Sequence, residues 1–151
     1  MDCRVLRVER GDCRAQAAVE GLALLIALRA WAPLWEQQRL RAHVRSDSAA
    51  ALGAAEKLAS PTYALNVLAR EVALDIAWSR YGVEMVTYGH ISGPLNTAAD
   101  ALSRQWCPNT RAAVPEELGA MEPTTAVERT AAWWLSFGGP RRPLRAARRQ
   151  A

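Results

Sequence analysis

Lysine is nearly absent: of 19 basic residues only Lys57 is not arginine, and the chain holds one phenylalanine (Phe137) and two histidines (His43, His90). Cysteine is scarce and unpaired in pattern. Cys3, Cys13 and Cys107 are odd in number and show neither CxxC nor Cys/His ligand spacing, so reduced thiols are the expected state. No long apolar run occurs. The strongest, Leu22 to Leu28, is bounded by Glu20 and Arg29 and falls short of the roughly 20 residues that cross a bilayer, so it reads as a buried helix. A secretory signal is not expected either, because MDCRVLRVERGDCR alternates charge with apolarity instead of leading from a basic start into an apolar stretch. These absences point to an intracellular chain with no membrane partner. No internal repeat is visible.

Half of the 151 residues are hydrophobic, which suits one domain with a core and excludes disorder throughout. The net charge is +4, carried by arginine, whose planar fork matches phosphate. That balance permits a nucleic-acid partner; a GC-rich coding bias would give the same preference. Five arginines crowd into GGPRRPLRAARRQ, residues 138–150, where Gly, Pro and like charge predict a disordered basic tail over 139–151.

Along the chain, QAAVEGLALLIALRAW predicts a first helix over Gln16–Trp31, ended by Pro33. LRAHVRS alternates strictly and predicts a strand over Leu40–Ser46, with His43 on its exposed arginine face. DSAAALGAAEKLA is a short Ala-rich helix. Ser60 as N-cap with Pro61 at the first helical position starts a long helix over Thr62–Arg80, whose Leu65, Leu68, Val72 and Ile76 recur at helical spacing until Gly82. VEMVTYGHI predicts a second strand over Val83–Ile91, SGPLN a turn, and TAADALSRQW a final core helix capped by Asn96 or Thr97. Prolines then break the chain repeatedly over 108–138, within which VERTAAWWLSF predicts one short helix. The order of elements points to an α/β layer, with two strands too few for a good sheet.

Three acids stand out. Asp47 lies where a strand ends and a helix begins, and its simple reading is an N-cap. Asp100 stands at capping-box spacing from Thr97. Glu20 lies between Val19 and Leu22 on an apolar helix face, where an unpaired carboxylate is costly and calls for an arginine or a metal. A carboxylate within a helix, one at a strand end and one near a helix start can converge in a layered fold, and hard divalent cations need such clustered oxygens. A pair of such ions about 4 Å apart would clamp the attacking and leaving oxygens of a phosphodiester.

The run His90-Ile-Ser-Gly-Pro-Leu-Asn96-Thr-Ala-Ala-Asp100-Ala-Leu-Ser-Arg104 resembles the end of a ribonuclease H domain of the kind carried by retrotransposon reverse transcriptases. EGLALLIALRAW resembles that family's first helix and VRSDS its fourth strand. The resemblance covers about residues 16–106. It implies a ribonuclease H-like layered α/β fold and Mg²⁺-dependent (or Mn²⁺-dependent) hydrolysis of RNA in RNA/DNA hybrids. In intact relatives two ions serve, and a reverse transcriptase polymerase domain is the partner. It implies Glu20, Asp47 and Asp100 as metal ligands, His90 as an auxiliary acid or base, and Asn96 as a contact to substrate backbone. The histidine has an equal reading as a packing strand residue, and Asn96 as an N-cap. The family's first-strand aspartate has no counterpart here, since only 15 residues precede Gln16, too few for three strands. VLRVER is then the remnant of a third strand within 1–15, followed by a core over 16–107 with an incomplete sheet. The expected chain is truncated and inactive. The rivals are a non-catalytic remnant that binds nucleic acid and a helical interaction protein whose acids are caps.

Overall fold

A computed structural model describes residues 2–9, 15–37, 41–78, 83–105, 113–122 and 127–137. Its element order is α1 (Asp2–Leu6), α2 (Gln16–Gln37), β1 (Ala42–Ser46), α3 (Ala49–Lys57), α4 (Tyr63–Ala77), β2 (Val86–His90) and α5 (Thr97–Arg104), with single 3-10 turns at Val83–Met85, Gly93–Leu95 and Glu116–Leu118. Among the described residues the sheet has two strands, β1 and β2, paired in parallel with Ala42 opposite Val86 and Ser46 opposite His90. A parallel pair cannot be joined by a hairpin, and α3 and α4 supply the crossover. The class is therefore mixed α/β and rich in helix.

Helices α2, α3 and α4 pack on one another around Leu24, Leu25, Leu28, Ala51, Leu52, Leu65, Leu68 and Val72. Each buried Leu stabilises by about 1.5–3 kcal/mol, so these stripes carry most of the fold. The helical spacing of Leu65, Leu68, Val72 and Ile76 was a sound guide: the first three are buried and Ile76 is half-buried. Gly21 lets α2 approach α4 closely, because a Cβ there would lie 3.0 Å from Leu68 Cδ1 and 3.2 Å from Leu65 Cδ2.

Five local expectations are corrected. The first helix does not stop at Pro33 but runs to Gln37, since Ala32 and Trp35 are buried on the core and the burial outweighs one lost hydrogen bond. At about 33 Å it is longer than its apolar run suggested, and residues 16–35 are long and apolar enough to cross a membrane by length and composition; Leu25 and Leu28 are nonetheless fully buried against α3 and α4. The supposed strand remnant is helical: Asp2–Leu6 form α1, which buries Val5 and Leu6 in the core. The long helix starts at Tyr63 with Thr62 as cap, and Ser60 instead donates its backbone N–H to Asn66 Oδ1 at 3.3 Å. The residues before β2 coil into a 3-10 turn over Val83–Met85, so that strand is shorter than its β-branched composition implied.

The fifth correction concerns the C-terminal side. VERTAAWWLSF forms turns rather than a helix, with Trp133 N–H donating to the Thr130 carbonyl and Phe137 N–H to the Trp134 carbonyl. It is also no loose extension, because Trp134 is fully buried within the core cluster. The basic tail 139–151 lies outside the described residues.

Candidate functional site

At the carboxyl ends of β1 and β2, the place where open α/β sheets bind ligands, the last rung pairs Ser46 with His90, and Ile91 N–H donates to the Ser46 carbonyl at 3.0 Å. Asp47 follows directly. The helix after it is capped by Ser48, whose Oγ accepts from Ala51 N–H at 3.3 Å, while Ser46 Oγ accepts from Ser48 N–H at 3.1 Å. Two serines thus do the capping that Asp47 was read as doing. Its carboxylate turns outward, and Oδ1 accepts from Asn96 Nδ2 at 3.1 Å. Oδ2 lies 3.7 Å from where a Cβ on Gly93 would stand.

Asn96 is the N-cap residue of α5 by position, but its side chain is spent on Asp47 rather than on a helix N–H. Its backbone closes the turn instead: its N–H donates to the Gly93 carbonyl and its carbonyl accepts from Asp100 N–H, both at 3.0 Å. The Asp47–Asn96 bond spans 49 positions and joins the strand end of β1 to the turn after β2. His90 is exposed on the same sheet end.

Asp100 does not cap α5. Its Oδ1 accepts from Arg104 Nε at 2.9 Å, an i,i+4 pair on the surface of α5 with both side chains more than half exposed. Glu20 is half-buried and accepts from Gln16 Nε2 at 3.1 Å. The costly buried carboxylate expected there is absent for a local reason: Val19 beside it is exposed while Ala18 is buried, so Glu20 borders the face of α2 turned away from the core. Among the described residues no three His, Cys, Asp or Glu side chains gather as a metal-holding group. The two-ion arrangement implied by the resemblance does not fit the side chains as they stand.

The buried acids are elsewhere. Glu71 and Asp75 on α4 have fully buried side chains, both facing Arg29 of α2. Arg29 Nη2 donates to Glu71 Oε2 and Nε to Asp75 Oδ2, each at 2.7 Å, and Nη1 donates to the Trp133 carbonyl at 2.6 Å, with the guanidinium 4.3 Å from the Trp133 ring centroid. Glu71 also accepts the N–H groups of Leu135 and Ser136, each at 2.8 Å, and the Ser136 hydroxyl. The signal for this cluster was legible: an arginine closing an apolar run, and two acids four apart on the helix whose apolar stripe includes Leu68 and Val72.

On the outer sheet face, His43 is exposed as expected, with Nδ1 2.8 Å from Thr87 Oγ1 and its ring over Gly89, where a Cβ would meet Nε2 at 2.8 Å. Tyr88, half-buried, has its phenol pushed above the usual value of 10.0 by burial, with the charge of Glu56 adding to it. No family model, curated protein or solved structure matches the chain.

Proposed function

We propose that the chain is a ribonuclease H-like domain of retroelement type that engages an RNA/DNA hybrid without cleaving it. The observation that carries this reading is the Asp47–Asn96 bond. It ties together two segments, VRSDS and HISGPLNTAADALSR, that resemble the same family independently and lie far apart in sequence. The order helix, strand, helices, strand, helix supports it further, as does the place of Asp47, His90 and Asn96 at one sheet end. Inactivity follows from the acids: two-metal hydrolysis needs ligands held around both ions, and Asp100 and Glu20 here bond within their own helices. A hybrid differs from duplex DNA by its 2′-hydroxyls and wide minor groove, and arginines supply salt-sensitive backbone contacts.

Chemical-shift mapping with an RNA/DNA hybrid tests the reading. The resonances of His90, Asn96 and the Gly93–Leu95 turn are expected to move, and to move less with duplex DNA of the same sequence. Unchanged resonances there would overturn the reading. In a cleavage assay with Mg²⁺ or Mn²⁺ the 151-residue chain is expected to leave the hybrid intact; metal-dependent cleavage lost in Asp100→Asn would overturn the claim of inactivity.

A further inference from the structure

Burial alternates strictly along residues 41–45: Arg41, His43 and Arg45 are exposed, while Ala42 and Val44 are partly buried against the core. Side chains on a strand share a face at every second residue, so the three basic groups stand in a row on the outer face of the sheet, about 7 Å apart. That repeat is comparable to the distance between successive phosphates of one nucleic-acid strand. Among the described residues neither arginine of the row has an acidic partner, unlike Arg29, Arg104 and Arg129. Across the sheet β2 adds little height, since Thr87 stands opposite His43 and Gly89 opposite Arg45. Thr87 Oγ1 donates its single proton to the Ala42 carbonyl at 3.4 Å and so accepts from His43 Nδ1–H at 2.8 Å, which holds the ring over Gly89, where a Cβ would stand 2.8 Å from Nε2. The imidazole fills the place of the missing side chain and remains exposed.

We propose that this outer sheet face binds single-stranded nucleic acid, with Arg41 and Arg45 on phosphates two nucleotides apart and a base between them stacked on His43. Charge complementarity supplies the first part of the case: two unpartnered guanidiniums about 13 Å apart along one strand match a polyanion with a regular repeat, and each can fork onto phosphate oxygens. The imidazole supplies the second. In a duplex the bases stack on one another and offer only their edges in the grooves, whereas a single strand can lay an unstacked base on an aromatic ring. Only a hydroxyl and a glycine flank His43 on β2, so a base can reach the ring. An acidic peptide would match the charge and leave the imidazole without a stacking partner. This face is distinct from the sheet's carboxyl end where Asp47 meets Asn96, and the proposal does not rest on the hybrid reading.

Fluorescence anisotropy of a labelled oligouridine of about 12 nucleotides, titrated with the full chain over a salt series, tests this. Arg41→Gln combined with Arg45→Gln is expected to weaken binding by about tenfold or more and to lower the salt slope by about 1.4, the share of two phosphate contacts on a single strand. Arginines elsewhere are common to both proteins, so the difference belongs to this face. Gly89→Ala keeps every charge but pushes the His43 ring from its seat, and because the obstructing atoms are the far end of a rotatable side chain, the fold is kept. It is expected to weaken binding by about fivefold or more with the salt slope unchanged. In NMR spectra of the wild type the oligonucleotide should shift resonances of residues 41–45 and 87–89. Wild-type affinity in either variant overturns the proposal, as do shifts confined to the Gly93–Leu95 turn. Equal affinity for an RNA duplex of the same length overturns it too, and so does displacement of the oligonucleotide by polyglutamate of equal charge. The turn is read separately in the same spectra, so failure here is distinguishable from failure of the hybrid reading.

Discussion

Removing the guanidinium of Arg29 should be the most damaging single polar change in the protein. Arg29→Met keeps much of the side chain's length and its apolar contacts but takes the guanidinium from the buried carboxylates of Glu71 and Asp75, and the donor from the carbonyl of Trp133. Breaking a buried ion pair from one side costs about 3–5 kcal/mol, because the remaining charge is uncompensated. Against a total stability of about 5–15 kcal/mol for a domain, that is enough to leave a substantial unfolded fraction.

The comparison that isolates the cause is Glu71→Gln. It removes one charge, keeps a carbonyl oxygen to accept an N–H, and should cost nearer 1–3 kcal/mol, roughly the value of a buried donor left unsatisfied. Urea unfolding followed by tryptophan fluorescence measures both, since Trp133 and Trp134 sit on the network. The ordering Arg29→Met well below Glu71→Gln is the prediction. If Arg29→Met lowers stability by less than about 1 kcal/mol, within the range of an exposed pair, the cluster is not the buried, coupled network described.

Two glycines of neighbouring helices should respond oppositely to a side chain. Gly53→Ala on α3 meets nothing within 4 Å and should stabilise by about 0.5–1 kcal/mol, whereas Gly21→Val forces atoms against Leu65 and Leu68 and should cost about 1–3 kcal/mol; thermal unfolding of the two variants checks the signs. Tyr88 should ionise above 10, and because the folded state holds its proton more tightly than the unfolded chain, stability should be intact below that pH and fall as pH rises through the folded pKa. Phenolate absorbance against pH, with Tyr88→Phe to assign the transition, decides it. Asn96→Ala should cost under about 1 kcal/mol, since the bond to Asp47 is solvent-exposed, yet it should suppress the hybrid-induced shifts of the Gly93–Leu95 turn in NMR spectra.

Where the sequence was a reliable guide, the guiding physics was local and periodic. The strict alternation of Leu40–Ser46 marks β1 because a strand's faces repeat every two residues, and the spacing of Leu65, Leu68 and Val72 marks the buried stripe of α4 because a helix repeats every 3.6. Caps were harder. Ser48 and Asp47 are adjacent and both are good caps by type, and only the direction in which the chain leaves β1 decides that Ser48 takes the helix while Asp47 meets Asn96. Helix ends failed for a related reason: Pro33 stops an isolated helix, but the burial of Ala32 and Trp35 is a tertiary term invisible to local rules. The Arg29 cluster joins residues 42 to 104 positions apart, so its members could be noticed singly but not assembled.

The same distinction between local and tertiary terms governs the three acids. Asp100 bonds Arg104 and Glu20 bonds Gln16, each one helical turn away. Such exposed pairs are worth about 0.2–0.5 kcal/mol, far too little to hold a carboxylate away from a divalent cation offered with further ligands. The side-chain pairing seen here is thus a consequence of the absence of a gathered ligand set, not its cause. Replacing Arg104 by alanine would free the Asp100 carboxylate without bringing it a second ligand, so Arg104→Ala should leave Mn²⁺ affinity, read by paramagnetic broadening at Asp100, as weak as that of an isolated surface carboxylate. Strong, localised broadening at Asp47, Asp100 and Glu20 together in that variant would show that the pair alone had kept the three apart.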